Sequence, residues 1–501
     1  MSEKQIVVVL EDESHIEKPV SRDLRHQALS LVKETLEDAQ STSQLPDTLL
    51  DLLTQIIKPL FSGEQHSKLT STGRKNRVQH GLPASANRFS SQILFDDVDS
   101  RPLWKNGWTG PLLLHVLRNY SRIPDASVQR KTLEAHFHLL VPPILRQIDD
   151  VEISHKCYGC RCLKLLCDNL YDTQSDVLKR SGLTDVFIDA LKNDFSLLPT
   201  LTPEDESLML LQDLYPAYLS LMRARFLRLS DNQHRSSSSS ASGVSSLDAK
   251  PNHATTTSNT AKREAPSTTA TTTETEHALR NTHLTTLLRH QLLHSLHHLS
   301  TSTGEGSTIS TPLSTFLIAQ LPTLFTALGS ASTAHLAAVL PLLRHVLLDP
   351  FGTAAPALLL ATARSLQGVV AVTWPRIRSR WWGEVLRGAV GCWLNVCDDE
   401  IMEGEEGEHL KQRTTTATTR AATLVEVKSE LRVLVWLLED VVGQPRFAAV
   451  RADLVAEEPL LQGLFRGDGE GGMEMESKVV ECTKTTTMTK KNKKQGIIEE
   501  L

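Results

Sequence analysis

The chain has 501 residues and a formal net charge of -6 at pH 7. This length allows roughly three domains, or one extended array of repeats. The small negative charge argues against a nucleic-acid binder, because such proteins normally present a basic face that neutralises phosphates. The apolar share of 40% is ordinary for a globular protein and is enough to form a substantial core.

The cysteines and the apolar stretches indicate a cytosolic protein. The seven cysteines are an odd number, and four of them are crowded between Cys157 and Cys167, which favours reduced thiols over a disulfide framework. The first residues lack the pattern of a secretory signal. The best candidate for a membrane span, residues 309–343, contains three prolines as well as Ser, Thr and Gly. We therefore predict no membrane span.

Changes in composition divide the chain into seven segments. We predict an N-terminal helical segment with flexible parts (1–94), an N-terminal helical-repeat region (95–230), a disordered Ser/Thr-rich linker (231–276), a C-terminal helical-repeat region (277–397), an acidic and Thr-rich insert (398–420), terminal helices of the solenoid (421–466) and a disordered tail (467–501). The linker has almost no large apolar residues, so it cannot bury enough surface to offset the entropy of ordering.

Apolar residues follow a helical period in the regions between these breaks. One stripe consists of Leu133, Phe137, Leu140, Val141, Ile144, Leu145 and Ile148. A later stripe consists of Leu424, Val427, Leu431, Leu434, Leu438 and Val441. This spacing places the apolar side chains on one face of a helix, whereas the alternation that is typical of strands is nearly absent. The sequence therefore predicts an all-α protein.

Residues 139–170 have the layout of a HEAT-type helical repeat. A Pro-Pro pair lies in the first helix, Asp149 and Asp150 close it, and Lys156 opens the second helix. Helix pairs of this kind stack so that each pair covers the apolar face of its neighbour. We therefore predict a HEAT-like helical-repeat solenoid that is interrupted by disordered linkers.

The cysteines of the second helix in this unit resemble the ligands of a zinc site. They are Cys157, Cys160, Cys162 and Cys167. On a helix, the first and the last would lie about 15 Å apart, at about 1.5 Å per residue, and could not bind one ion. We predict that these cysteines are small buried apolar residues.

Three other patterns do not indicate a metal, nucleotide or catalytic site. His290, His294, His297 and His298 lie on one side of a predicted helix, but Gln291 stands where a zinc-binding HExxH motif has Glu, so we predict a polar face. The glycines of residues 467–472 lie among acidic residues that would repel phosphate, and the lysines of residues 490–494 are typical of a solvated tail or a weak nuclear signal. We predict no cofactor, no metal and no catalytic residue, and hence no enzyme.

Four of the seven tryptophans lie within residues 374–393. Tryptophan and arginine together are typical of interfaces, but a tryptophan on an apolar helix stripe is more often part of the core. On a helix that we predict to start near Ser379, Trp382 and Trp393 fall on such a stripe, so we expect both in the core. The residues before that helix lie at a turn marked by proline, where contacts with partners are common. The candidate partner-binding residues are Trp374, Pro375 and Arg376.

Three stretches of the sequence resemble a known family. They are Trp104-Lys105-Asn106-Gly107-Trp108; Leu140-Val141-Pro142-Pro143-Ile144-Leu145 followed by Asp149, Asp150, Lys156 and Gly159; and Trp374-Pro375-Arg376-Ile377 followed by Trp381, Trp382, Cys392 and Trp393. Together they are similar to the family of the second Tel-two-interacting proteins, the small subunits of Triple T complexes. The resemblance covers residues 95–218 and 313–393.

The resemblance implies a non-enzymatic scaffold with an armadillo-type helical fold. Members of the family act with two larger helical-repeat subunits and the heat-shock chaperone machinery to mature and stabilise phosphatidylinositol-kinase-like protein kinases. These kinases link the family to telomere maintenance and the DNA damage response. The expected location is the cytoplasm, with the nucleus as a second compartment. The residues alone leave another function open, that of a helical-repeat transport adaptor or a membrane-peripheral tether.

Overall fold

A computed structural model of the chain describes residues 30, 34, 44–61, 102–105, 108–199, 201–227, 268–301, 310–406 and 415–465. All regular elements in these ranges are helical, and none of the ranges contains a strand. This confirms the prediction of an all-α protein. The chain divides into two compact units, which are unit 1 (Met1–Asp231) and unit 2 (Asn232–Leu501).

Unit 1 is a bundle of α-helices with short helical turns between them. The described α-helices are α1 (Leu45–Asp51), α2 (Lys58–Leu60), α3 (Thr109–Asn119), α4 (Ala126–Ile148), α5 (Ile153–Asp172), α6 (Val177–Ser181), α7 (Thr184–Lys192) and α8 (Glu204–Arg225). A π-helical segment, Leu52–Ile57, joins α1 to α2. The 3₁₀ turns are Leu103–Lys105, Tyr120–Arg122 and Asp194–Ser196.

The helix α5 lies at the centre of unit 1, in contact with α3, α4 and α8. Its apolar residues Leu163, Leu166 and Leu170 are completely buried. The helices α4 and α5 correspond to the predicted pair, because α4 ends at Ile148 and α5 begins at Ile153. The helix α4 continues through its two prolines. Stacking of such pairs into a repeat solenoid remains a prediction.

A close approach between α4 and α5 requires glycine at position 159. A Cβ atom on Gly159 would lie 2.7 Å from the backbone nitrogen of Ile148. We expect Gly159→Ala to lower the melting temperature by several degrees, because the backbone of α4 must move away from α5.

The matched control is Gly383→Ala in unit 2. Gly383 is also helical, but nothing lies within 4 Å of an added Cβ atom. Alanine should stabilise this exposed helical position by up to about 1 kcal/mol. Thermal denaturation of both variants checks the prediction, and equal melting temperatures would show that α4 and α5 do not need the close approach.

Unit 2 contains the two longest helices of the described residues, of 25 and 28 residues. The described α-helices are α9 (Thr268–Thr286), α10 (His294–Thr301), α11 (Thr311–Ala319), α12 (Leu321–Leu328), α13 (Leu336–Leu348), α14 (Pro356–Arg376), α15 (Trp382–Glu406), α16 (Thr415–Val442), α17 (Gln444–Glu457) and α18 (Gln462–Phe465). Two π-helical segments, Leu287–Leu293 and Ile377–Trp381, join α9 to α10 and α14 to α15. The 3₁₀ turns are Gly329–His335, Gly352–Ala354 and Pro459–Leu461.

The helix α14 lies at the centre of unit 2, in contact with α11, α12, α13 and α16. Polar groups are buried at its contact with α16, where the Gln367 amide donates to the backbone and carboxylate oxygens of Glu430, each at 2.9 Å. Arg364 also donates to the Glu430 carboxylate. These bonds satisfy a carboxylate that is 7% exposed and fix the register of the two helices.

Two segment boundaries differ from those drawn from composition. The helix α9 begins at Thr268, inside the predicted linker, because a helix propagates past its packed residues more easily than it starts. The described ends of the predicted insert are also helical, since α15 runs to Glu406 and α16 begins at Thr415. The rest of the linker, residues 407–414 and the tail from residue 466 lie outside the described residues.

Ion pairs explain why these two helices extend into the predicted insert. Arg420 on α16 pairs with Asp399 on α15 and donates to the backbone oxygen of Thr353 at 3.0 Å. Lys428 on α16 pairs with Glu400 on α15. Composition marked this region as acidic and Thr-rich, and its described carboxylates Asp399 and Glu400 pair with basic residues of α16.

Two helical stretches of unit 2 are long and apolar enough to resemble membrane spans. They are Thr311–Leu348 and Pro356–Ile401, with mean hydropathies of 1.4 and 1.3. Parts of their apolar windows, 39% and 50%, are buried inside the structure. Core helices of globular proteins have the same composition, so two such stretches are weak evidence for a membrane span.

Candidate partner-binding site

The predicted partner-binding residues lie at a kink between two helices. Trp374, Pro375 and Arg376 form the last residues of α14, and the preceding residue, Thr373, leaves the helical region with φ -109° and ψ 18°. Proline has no N–H to donate and clashes with the preceding turn, so it explains the break. The prediction of a turn is therefore corrected, because the chain remains helical from here to α15, which begins at Trp382 rather than near Ser379.

The side chains at the kink differ in exposure. Pro375 and Arg376 are exposed, and Trp374 is half-buried. The next residue, Ile377, is completely buried and anchors the segment. Arg378 and Arg380 follow it and are also exposed. Three arginines are thus exposed to solvent along one short helical segment at the kink.

Aromatic rings and a further arginine extend this exposed region. The guanidinium carbon of Arg380 lies 5.0 Å from the ring centroid of Trp381, and that of Arg446 on α17 lies 5.0 Å from the ring centroid of Trp382. Contacts of this kind are cation–π interactions. We call this region the arginine–tryptophan surface. It consists of Arg376, Arg378, Arg380, Trp381, Trp382 and Arg446.

The structure assigns different roles to the two tryptophans that were predicted to be core residues. Trp393 is 3% exposed, and its indole nitrogen donates to the backbone oxygen of Leu460 at 3.0 Å. Trp382 is only half-buried, with its ring 6.5 Å from that of Phe447. The prediction that Trp382 is a core residue is therefore wrong, because the neighbouring helix α17 covers only part of its ring.

A second cluster lies in unit 1 and brings together the first two stretches of the sequence resemblance. Trp104 is buried, and its ring stacks on Phe61 at 5.4 Å and meets His155 edge-on at the same centroid distance. The neighbouring Lys105 pairs with Asp150 at 3.0 Å. The 3₁₀ turn of Leu103–Lys105 is therefore fixed to the connection between α4 and α5.

Asp150 carries its charge in a partly buried setting. Burial alone would raise the pKa of the Asp150 carboxyl, but the hydrogen bond from the Glu152 amide and the ammonium group of Lys105 outweigh it, so the pKa lies below its ordinary value. The carboxylate therefore stays ionised, and its hydrogen bond from the Glu152 amide stabilises the connection from α4 to α5.

A buried ion pair lies on the other side of this connection. The ammonium nitrogen of Lys156 lies 2.7 Å from an Asp194 carboxylate oxygen and donates to the backbone oxygen of Ile148 at 2.8 Å. Burial raises the pKa of Asp194, although Lys156 acts in the opposite direction. Sequence reasoning identified Lys156 but missed Asp194, because nothing in the sequence pairs residues that lie 38 positions apart.

Comparison with known proteins identifies the chain. The sequence model of the Tti2 family matches residues 10–354, which is well over half of the chain. The chain belongs to the Tti2 family. Searches of curated proteins and of solved structures found no significant match.

The family match distinguishes the two clusters. The cluster around Trp104, Asp150 and Lys156 lies within the matched residues, whereas Trp374 and the arginine–tryptophan surface lie beyond residue 354. The first two stretches of the resemblance therefore lie within the family match, and the third lies outside it. The Tti2 family belongs to a co-chaperone complex and is not a known enzyme family.

The cysteines of α5 are buried free thiols. Cys160, Cys162 and Cys167 are completely buried, and Cys157 is 2% exposed. Burial raises the pKa of the Cys157 thiol to about 12, so the reactive thiolate is disfavoured. The described residues contain no group of three or more His, Cys, Asp or Glu side chains that could hold a metal ion.

The histidines of the predicted polar face lie on the π-helical segment after α9 and on α10. His290, His294 and His297 are exposed, and His298 is half-buried. The glycines of residues 467–472 and the lysines of residues 490–494 lie outside the described residues. The arginine–tryptophan surface and the adjacent Trp374 combine exposed arginines with half-buried indole rings, and both residue types are enriched at interfaces.

Proposed function

We propose that this chain is a non-enzymatic scaffold subunit of a Triple T complex, which matures and stabilises phosphatidylinositol-kinase-like protein kinases. Its partners are the two larger helical-repeat subunits of that complex, the heat-shock chaperone machinery and the kinases. Membership of the Tti2 family is the observation that carries the proposal. Two units of packed helices, in which the described cysteine thiols are buried, are compatible with a role in holding other proteins.

The proposal includes a repeat architecture, a location and a contact site. The paired helices α4 and α5 are the part that best supports a HEAT-like solenoid. We place the protein in the cytoplasm, with a second pool in the nucleus. For the contact site we propose Trp374, Pro375 and Arg376, since an exposed guanidinium beside a half-buried indole is typical of interface anchors.

Acute depletion of the protein tests the proposed function. We expect the steady-state levels of several giant kinases of this class to fall while their messenger RNA stays constant, because an unassisted kinase is degraded after synthesis. Quantitative immunoblotting with matched RNA measurement checks this. Unchanged kinase abundance after complete depletion would reject the co-chaperone role.

The contact site is tested with the double variant Trp374→Ala/Arg376→Glu. We expect it to lose binding to the larger subunits while its melting temperature stays within a few degrees of the parent, because Arg376 is exposed and Trp374 is only half-buried. A matched control, Phe351→Ala/Arg122→Glu, changes an exposed aromatic residue and an exposed arginine elsewhere. Normal binding by the test variant, or its unfolding, would show that the kink is not the contact site.

Co-purification separates this proposal from the alternative of a transport adaptor or a membrane-peripheral tether. The alternative draws on the two apolar stretches of unit 2. Recovery of giant kinases and chaperones with the tagged chain supports the scaffold role. Recovery of transport receptors or lipid instead supports the alternative.

A further inference from the structure

The arginine–tryptophan surface carries a concentrated positive charge without carboxylate partners. Arg376, Arg378, Arg380 and Arg446 are all exposed, and none of them forms an ion pair with a carboxylate among the described residues. Arg380 and Arg446 instead lie against the indole rings of Trp381 and Trp382. A ligand that suits this surface is therefore acidic and carries side chains that pack on indole rings.

The chain itself leaves the described structure beside this surface. Phe465 is the last described residue, and its ring lies 6.3 Å from that of Phe447 on α17. The same Phe447 ring lies 6.5 Å from that of Trp382. The described part of the chain therefore ends one aromatic side chain away from Trp382 of the arginine–tryptophan surface.

The first part of the tail has the composition that this surface requires. Its acidic residues are Asp468, Glu470, Glu474 and Glu476, and it contains Met473 and Met475 between them. Methionine sulfur makes favourable contacts with aromatic rings. Four acidic residues match the four arginines in number, and residues 467–476 contain no Lys or Arg.

The tail is long enough to cover the surface. An extended chain spans about 3.3 Å per residue, so residue 476 can reach roughly 35 Å from Phe465. The helical segment from Arg376 to Trp382 measures only about 9 Å along its axis. Attachment at Phe465 also gives the tail a high effective concentration at this site, which favours it over an acidic segment that must bind from solution.

We propose that the acidic segment 468–476 of the chain's own tail binds the arginine–tryptophan surface. The segment then stands next to Trp374 and covers Arg376, so a partner that uses these residues must displace it. The binding of the tail can be measured on the purified chain alone. This proposal therefore does not depend on the role in kinase maturation.

Site-specific photo-cross-linking in the full-length chain tests the proposal. Benzoylphenylalanine in place of Met473 should cross-link within the same chain to residues 376–382 or 444–447. The matched control places the same group at Met488, which has a longer tether but lies in the lysine-rich part of the tail, where like charge disfavours contact with the arginines. The cross-links from position 473 should weaken as salt is raised from about 50 mM to about 500 mM, because screening reduces exposed ion pairs.

Charge reversal identifies the surface that the tail contacts. Arg378→Glu/Arg446→Glu should reduce the cross-link yield roughly tenfold, because exposed attractive pairs become repulsive ones. Arg122→Glu/Lys131→Glu, which reverses two exposed charges in unit 1, should leave the yield unchanged. Adding Glu470→Lys/Glu474→Lys to the reversed surface should restore the cross-link.

Three results would overturn the proposal. Cross-links from position 473 that map elsewhere would show that the tail binds another surface or none. A cross-link yield that does not change when Arg378 and Arg446 are reversed would show that charge attraction does not hold the tail at this surface. A product with the mass of two chains would show that a second copy, and not the chain's own tail, covers the surface.

Discussion

Replacement of Asp194 by alanine is expected to destabilise unit 1 by about 3–5 kcal/mol, since a buried charge then loses its counterion. Lys156 would remain buried with only the backbone oxygen of Ile148 as its acceptor. Denaturant unfolding followed by circular dichroism measures the loss. Asp194 links the start of α5 to the turn before α8, so the variant should also loosen the contact between these helices.

A double replacement separates the ion pair from the packing around it. One Asp194 carboxylate oxygen has no hydrogen-bond partner among the described residues, and burial raises the pKa of this carboxyl. Lys156→Met/Asp194→Leu removes both charges and keeps apolar volume, so it should recover most of the lost stability. If the single and double variants are equally unstable, the ion pair is not the cause of the loss.

The second large effect is expected for Trp393→Ala, which should cost about 3–5 kcal/mol in the free energy of unfolding. The indole is 3% exposed and donates to Leu460. A Cβ atom on Gly463 would lie 2.9 Å from its ring, so the ring fills the space between α15 and the last described helix, α18. Chemical denaturation of the full chain measures the change.

Trp436→Ala provides the matched control for this prediction. Trp436 lies on α16 in the same unit, but its side chain is 42% exposed. Its replacement should cost far less than that of Trp393, because much less buried apolar surface is lost. Similar losses for the two variants would show that Trp393 does not hold α15 and α18 together.

The sequence predicted those features that depend on neighbours along the chain. The stripe from Leu133 to Ile148 predicts the buried face of α4, and all seven of its members are buried in the structure. The position of the cysteine run in a helical apolar stripe likewise predicted that these residues are buried. A 3.6-residue period reports which side of a helix meets the core, so such predictions need no knowledge of the partner helix.

The sequence did not predict features that depend on distant residues. Trp382 and Trp393 occupy the same predicted stripe, yet one is half-buried and the other is buried, because α17 and α18 cover them to different extents. Asp194 was missed for the same reason. The π-helical segment Ile377–Trp381 was also not predicted, since a 3.6-residue period assumes a regular α-helix.

The ion pairs between α15 and α16 determine where the chain can accept inserted residues. They hold Asp399 close to Arg420, so residues 407–414 join two points whose separation is already fixed. Doubling the length of such a connection adds only about 0.6 kcal/mol of closure entropy. The connection between α4 and α5 is itself held in place, because Asp150 in this connection pairs with Lys105. Insertions should therefore accumulate between α15 and α16 over evolutionary time and be rejected between α4 and α5.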